Sequence, residues 1–250
     1  MRNQILALAL VVCASPSFAG AAQETEHVNK TVKLERGGTL RLKSFSGRVT
    51  ITASDRSDVV IDAMRRGDRE WLDRQRLDIR AEGSTVVVVE NQTERSWWNW
   101  SRTNRVVETD FDIKVPRQTN LDVSVFSASV TVQGVEGSKK VHSFSSRLQV
   151  DDGSGPIDAH TFSGAIVIRA RTWQPNQSID VDTFSGNVEL HVPDSARGTV
   201  TFNSFSGHLN SEVPLTLHSS SRRSLKAELG SGAGGTLRFK TFSGNVKIDR

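Results

Sequence analysis

Two short alternating runs set the pattern of this chain. Ile179, Val181 and Thr183 alternate with polar residues. Val188, Leu190 and Val192 then alternate with Asn187, Glu189 and His191. Strict alternation is the mark of a half-buried strand. The apolar phase is odd before Phe184-Ser185-Gly186 and even after it. The chain must therefore change face once at that corner, by a bulge or bend where glycine tolerates unusual backbone angles. The corner recurs as Ser44-Phe45-Ser46-Gly47, Val125-Phe126-Ser127-Ala128, Ser143-Phe144-Ser145-Ser146, Thr161-Phe162-Ser163-Gly164, Ser204-Phe205-Ser206-Gly207 and Thr241-Phe242-Ser243-Gly244. Each unit reads strand, corner, strand, turn.

The spacing of the corners decides the architecture. Phe126, Phe144 and Phe162 are each 18 residues apart, then the steps to Phe184 and Phe205 are 22 and 21. A period near 20 is the signature of a stacked repeat, and it fits one coil of a β-solenoid. The expected fold class is all-β, a parallel β-solenoid (β-helix-like) with Thr/Ser-Phe-Ser-Gly repeats of about 20 residues. Equivalent residues then stack about 4.8 Å apart, which puts Phe126, Phe144, Phe162, Phe184 and Phe205 in one aromatic column beside a near-continuous hydroxyl column. The competing meander of hairpins expects Asn-Gly or Asp-Gly two-residue turns, which the linkers mostly lack.

The N-terminal third is less regular. The first corner, at Phe45, precedes the next by 81 residues. Thr85 to Val89 reads as a buried strand, and Asp68 to Arg80 has room for a short helical turn. Phe111-Asp112-Ile113-Lys114-Val115 alternates and stops at Pro116, which cannot donate to a ladder. The sequence thus divides into residues 20–116, a β segment of the solenoid carrying a Trp-rich loop, and 117–250, the regular coils. The last step, from Phe205 to Phe242, is 37 residues. It holds Ser219 to Arg223 and Gly230 to Gly235, which read as an exposed loop. The N-terminal third is a cap for one end, and no comparable cap is evident for the other.

Residues 1–19 read as a secretory signal, removed on export: Arg2, an apolar run from Ile5 to Val12, and Ser17-Phe18-Ala19 as the cleavage site. A lipidated Cys13 is the alternative, but Val12 is larger than a lipobox wants. Removing Arg2 takes the formal charge of +4 to +3, a weak footprint for a polyanion, and no nucleic-acid partner is expected. Cleavage after Ala19 also removes the single cysteine, and with it any disulfide, thiolate metal site or thiol nucleophile. No later stretch is apolar enough to span a bilayer. The expected location is periplasmic or extracellular.

Three features resemble the bacterial DUF4097 family, whose members are labelled candidate adhesins. They are the repeated Thr/Ser-Phe-Ser-Gly-x-Val, the run from Phe111 to Pro116 leading into Leu121-Asp122-Val123, and Leu229-Gly230-Ser231-Gly232 before the last corner. The resemblance covers nearly all the chain after residue 19. It implies a β-helix-like domain of an exported or envelope protein, and it brings no catalytic residue with it.

Four clusters carry candidate chemistry. Trp97, Trp98 and Trp100 sit among Arg95, Arg102 and Arg105, a composition suited to binding a sugar, a protein or a membrane interface, or to lying over an open solenoid end as a lid. Ser124, His142, His160, Asp182 and Asn203 stand two before each Phe and form a column; its histidines and aspartate suit a divalent metal, against the plainer reading of a polar outward face. Asp151, Asp152 and Asp158 on neighbouring turns suit a carboxylate pair of a polysaccharide-cleaving enzyme, against simple turn solvation. Arg222, Arg223 and Lys226 are a small basic patch for anionic lipid or polysaccharide. There is no nucleophile elbow, zinc-protease helix or phosphate loop. The expected role is a non-catalytic exported envelope protein, adhesin-like or structural, with no cofactor or metal, whose partner is an envelope protein, a glycan or another copy. The alternatives are a polymerising scaffold and a β-helix enzyme.

Overall fold

The computed structural model describes residues 23–93, 106–232 and 234–250. The strands in chain order are β1 (Glu24–Lys33), β2 (Thr39–Ser54), β3 (Asp58–Gly67), β4 (Gln75–Glu82), β5 (Val86–Thr93), β6 (Glu108–Pro116), β7 (Asn120–Gln133), β8 (Lys139–Ser145), β9 (Leu148–Asp151) and β10 (Ile157–Ser163). They continue as β11 (Ile166–Arg169), β12 (Ser178–Thr183), β13 (Val188–His191), β14 (Gly198–Ser204), β15 (Leu209–Ser211), β16 (Leu215–Ser220), β17 (Ser224–Leu229), β18 (Gly235–Thr241) and β19 (Val246–Asp249). One short helix, α1 (Arg69–Arg74), joins β3 to β4. The fold is all-β and solenoid-like. No helix among the described residues is long and apolar enough to cross a membrane.

Each coil crosses two hydrogen-bonded ladders. The first ladder holds the strand before the corner and runs β4, β5, β2, β7, β8, β10, β12, β18, β14, β17, β16. The second holds the strand after it and runs β1, β3, β6, β2, β7, β9, β11, β13, β19, β15. Strands β2 and β7 are long enough to run through both. The coils pair in parallel, Leu121 with Lys139, Lys139 with Ile157, and Ile157 with Ile179. Inward residues of both ladders make one continuous apolar cluster, including Leu42, Ile51, Val123, Val132, Val181 and Leu190.

The stacking order departs from chain order at both ends. Strand β2 lies in register with β7 from Thr39 to Thr52, and β5 and β6 stack on its other side. The coil of residues 39–54 is thus held between coils that follow it in sequence. The last coil, β18 and β19, is inserted between β12–β13 and β14–β15. The aromatic column is corrected accordingly: Phe242 stands between Phe184 and Phe205, and Phe45 extends the other end.

Antiparallel strands cover three of the four outer edges. Strand β4 covers β5, β3 and then β1 cover β6, and the β17–β16 hairpin covers β14. Residues 219–235, expected as an exposed loop, supply β17 and so provide a cap not foreseen in the sequence. Unpaired edge groups otherwise recruit further strands. Helix α1 is tied in by the buried Arg65, which donates to Glu26 and to the backbone carbonyls of Leu72 and Gln75.

The corner's face change is visible in burial. Thr183 is inward, Phe184 and Ser185 both point outward, and Gly186 is inward again. The corner glycines are needed for close approach. A Cβ on Gly164 would strike the carbonyl of Ser146, on Gly186 that of Gly164, on Gly244 that of Gly186, and on Gly207 that of Gly244, each closer than 3.0 Å. Corner geometry falls into two classes. In the coils of Thr183, Thr241 and Ser204 the hydroxyl accepts from the glycine N–H at 2.8, 2.6 and 2.6 Å. Thr161 instead donates to the carbonyl of Ser163 at 3.0 Å, and Gly164 has φ of 131°.

The coils also hold a lysine at an inward position. Lys139 occupies the column of Leu121 and Ile157, is 1% exposed, and donates to the carbonyls of Val135 at 3.0 Å, Gly137 at 2.7 Å and Ser154. Burial pushes its pKa down to about 8.

Two outcomes follow. Gly186→Ala or Gly244→Ala forces two backbones apart and costs on the order of 2–4 kcal/mol in urea unfolding, whereas Ala128→Gly, at a position that already holds a Cβ, costs about 1 kcal/mol. Stability rises from about pH 8 towards the ordinary lysine value of 10.5. In that window the unfolded chain holds the Lys139 proton that the folded chain has released, a difference of about 3 kcal/mol. Lys139→Met removes this rise in unfolding curves taken across the window.

Candidate functional site

Phenylalanine recurs at the outward position of every corner, and that repetition marks the corner as the feature to explain. The rings of Phe45, Phe126, Phe144, Phe162, Phe184, Phe242 and Phe205 stack in that order. Neighbouring centroids lie 4.8–5.0 Å apart and neighbouring planes are within 6° of parallel. From Phe126 onward each ring is between 39% and 53% exposed. The column is about 29 Å long, the sum of its six steps. Backbone bonds fix its order: the N–H of Ser185 reaches the carbonyl of Phe162, that of Ser243 reaches Phe184, and that of Ser206 reaches Phe242.

The geometry determines which part of each ring is offered. Inside the stack both faces are covered by the neighbouring rings, and the edges point outward. At the Phe205 end Arg223 covers the last face, 4.3 Å from the centroid. Arg223 of the basic patch is thereby drawn into this ladder, while Lys226 stands exposed on β17. The ladder presents a smooth stripe of C–H edges, which carry the positive end of the ring quadrupole. A sugar that stacks on an aromatic face finds no free face within it.

Beside the stripe runs a shallow groove of about 750 Å³. Its other wall is formed by Lys43, Ser124, His142, His160 and Asp182, part of the column two residues before each Phe. In stacking order the column reads Lys43, Ser124, His142, His160, Asp182, Lys240 and Asn203, so Lys240 separates the Asp182 and Asn203 expected as neighbours. The His142 and His160 rings stack at 5.1 Å. His160 Nε2 meets Asp158 Oδ1 at 2.8 Å. Burial, with His160 and Lys140 nearby, holds His142 below its ordinary value. Among the described residues no group of three His, Cys, Asp or Glu side chains is placed to hold a metal ion. The hydroxyl column expected beside the rings is turned inward: Thr161, Thr183, Ser204 and Thr241 are buried.

The three turn aspartates do not converge. Asp151 pairs with Arg169 at 2.9 Å and Asp152 with Arg171 at 2.8 Å, on the rim of a separate polar groove of about 890 Å³. Asp158 lies on β10 in the first ladder and is engaged by His160. Trp97, Trp98, Trp100, Arg95, Arg102 and Arg105 lie outside the described residues. Phe45, Phe242, Lys43 and Lys240 are the members of the site that spacing alone did not place. For Phe45 a signal existed, since Thr39–Thr52 and Asn120–Gln133 share one pattern at an offset of 81.

A family model described as Toastrack DUF4097 matches residues 40–249. No curated protein matches the chain in sequence. Among solved structures it is similar to a candidate cell adhesion protein from Clostridium sporogenes, at 12% identity and a TM-score of 0.53, over 90% of this chain and 99% of that one. A candidate adhesin from Bacteroides fragilis matches at 10% identity and a TM-score of 0.29, over 89% of this chain and 97% of that one. The family model spans most of the sequence and takes in every Phe corner of the ladder, and the chain belongs to the DUF4097 (Toastrack) family.

Proposed function

We propose that this protein is a non-catalytic, exported, adhesin-like module of the cell envelope that binds through its ladder of phenylalanine edges. The observation that carries the reading is the ladder itself, a rigid apolar stripe held half-exposed over about 24 Å from Phe126 to Phe205. Exposed apolar patches of several hundred Å² mark interaction sites. The stripe suits apolar groups and electron-rich π surfaces, which the ring edges attract. The Trp97, Trp98 and Trp100 segment, with Arg95, Arg102 and Arg105, joins β5 to β6 and is the second candidate binding element of the same module. Export rests on the N-terminal signal-like residues and on the description of one solved structure of similar fold as a candidate cell adhesion protein.

Hydrolysis of a polysaccharide is the weaker reading, because Asp151 and Asp152 are each paired with arginine and Asp158 faces elsewhere. Open-ended polymerisation is also a weaker reading, because the end strands β1 and β4 are lined with charged residues, Glu24, Glu26, Lys30 and Lys33 on one and Arg76, Asp78, Arg80 and Glu82 on the other, which discourage a further strand.

The test is retention of the purified protein on an envelope fraction. Phe144→Ser with Phe162→Ser is expected to lower retention at least tenfold, since each ring contributes on the order of 1–2 kcal/mol when covered. The β-type circular dichroism is unchanged. Full retention by a folded double variant overturns the ladder as the binding surface.

A further inference from the structure

We infer that the occupant of the phenylalanine ladder is a second copy of this chain, seated ridge into groove. The inference rests on the ladder being the binding surface and adds the identity of the partner. Ridge and groove lie side by side on one face. The ridge is the ring column, and the groove runs between that column and the wall of Ser124, His142 and His160. Both are set by one backbone register, because Ser124, His142, His160 and Asp182 occupy equivalent positions of successive strands. A half-turn about an axis parallel to the stack places the ridge of each copy in the groove of the other. The same patch then serves both subunits, as closed two-fold contacts require.

Pitch selects the same partner. The ridge repeats every 4.8–5.0 Å. An α-helix laid along it repeats every ~5.4 Å, and alternate residues of a single strand every ~6.6 Å, so either drifts out of step along the column. A second stack of parallel strands does not drift. With the axis parallel to the ladders, every coil sits level with its counterpart.

Area points the same way. Six rings are about half-exposed. At the ~150–250 Å² carried by an aromatic side chain, they offer roughly 500 Å² per copy and about 1,000 Å² per pair. That reaches the ~1,000 Å² that a specific interface must clear, at the small end of the range. Reciprocal seating also closes the contact, so association stops at two.

The test is sedimentation of the purified protein over a concentration series, beside the retention assay. The expected result is a shift from one chain to two and no further. In the folded Phe144→Ser/Phe162→Ser variant four rings leave the interface, and the dimer dissociation constant rises by about a thousandfold or more. If that variant unfolds, Ser145→Arg carries the test: Ser145 is exposed beside Phe144, outside the apolar core, and the added charge weakens the dimer. A protein that stays monomeric at every concentration overturns the second copy as partner, and ring-dependent retention on envelope would then keep the ladder as a surface for something else. A dimer unmoved by these substitutions overturns the ladder as its interface. Growth beyond two chains overturns the closed two-fold arrangement.

Discussion

One spacing governs this molecule, the separation of hydrogen-bonded parallel strands at about 4.8 Å. Once neighbouring coils are locked in register, every position in one coil sits directly over its equivalent in the next. The inward aliphatics form the continuous core. The corner glycines approach the carbonyl of the next coil so closely that no Cβ fits. The asparagines after the corner form their own short ladder: Asn187 Oδ1 accepts the N–H of Asn245, and Asn245 Oδ1 accepts that of His208. The phenylalanines have no freedom to avoid one another, so they stack.

The same constraint makes the ends of the stack a problem, and the chain solves it by leaving sequential order. A coil added last in sequence but placed one position inward has partners on both sides, as β18 has in β12 and β14. The outermost coil is then free to be followed by a hairpin that satisfies its edge, as β17 and β16 do for β14. At the other end β2 is enclosed in the same way, and β4, β3 and β1 finish the two ladders. Antiparallel strands end a parallel stack because a hairpin can fold back without the long crossover that another parallel strand needs.

Stacking shelters the faces of the phenylalanines and leaves their edges in water, so each ring is only partly buried on folding. Core packing does not call for the rings, since Thr183 and Gly186 carry the inward surface on either side of Phe184. Phe nonetheless stands at every corner, the two without glycine included. The polar wall across the groove varies from coil to coil while the ridge does not.

Local pattern in the sequence determined the strands, the corner and the period. Alternation reports which face a residue takes, and the parity slip at Phe184-Ser185-Gly186 follows from counting. The family membership was legible for the same reason, since its motifs are those corners. What the tertiary structure alone decided is which coil lies next to which. Register between Val188 and Val246 is a non-local pairing across 58 residues, and nothing in either segment distinguishes it from pairing in chain order. That choice sets Phe242 between Phe184 and Phe205 and Lys240 between Asp182 and Asn203. It also turned the Ser219–Gly235 stretch into an edge cap, because β17 is satisfied only when β14 is left outermost. The outward aim of the rings lay between the two: the face change requires two consecutive residues on one side, but only the packed corner shows that Phe and Ser are that pair.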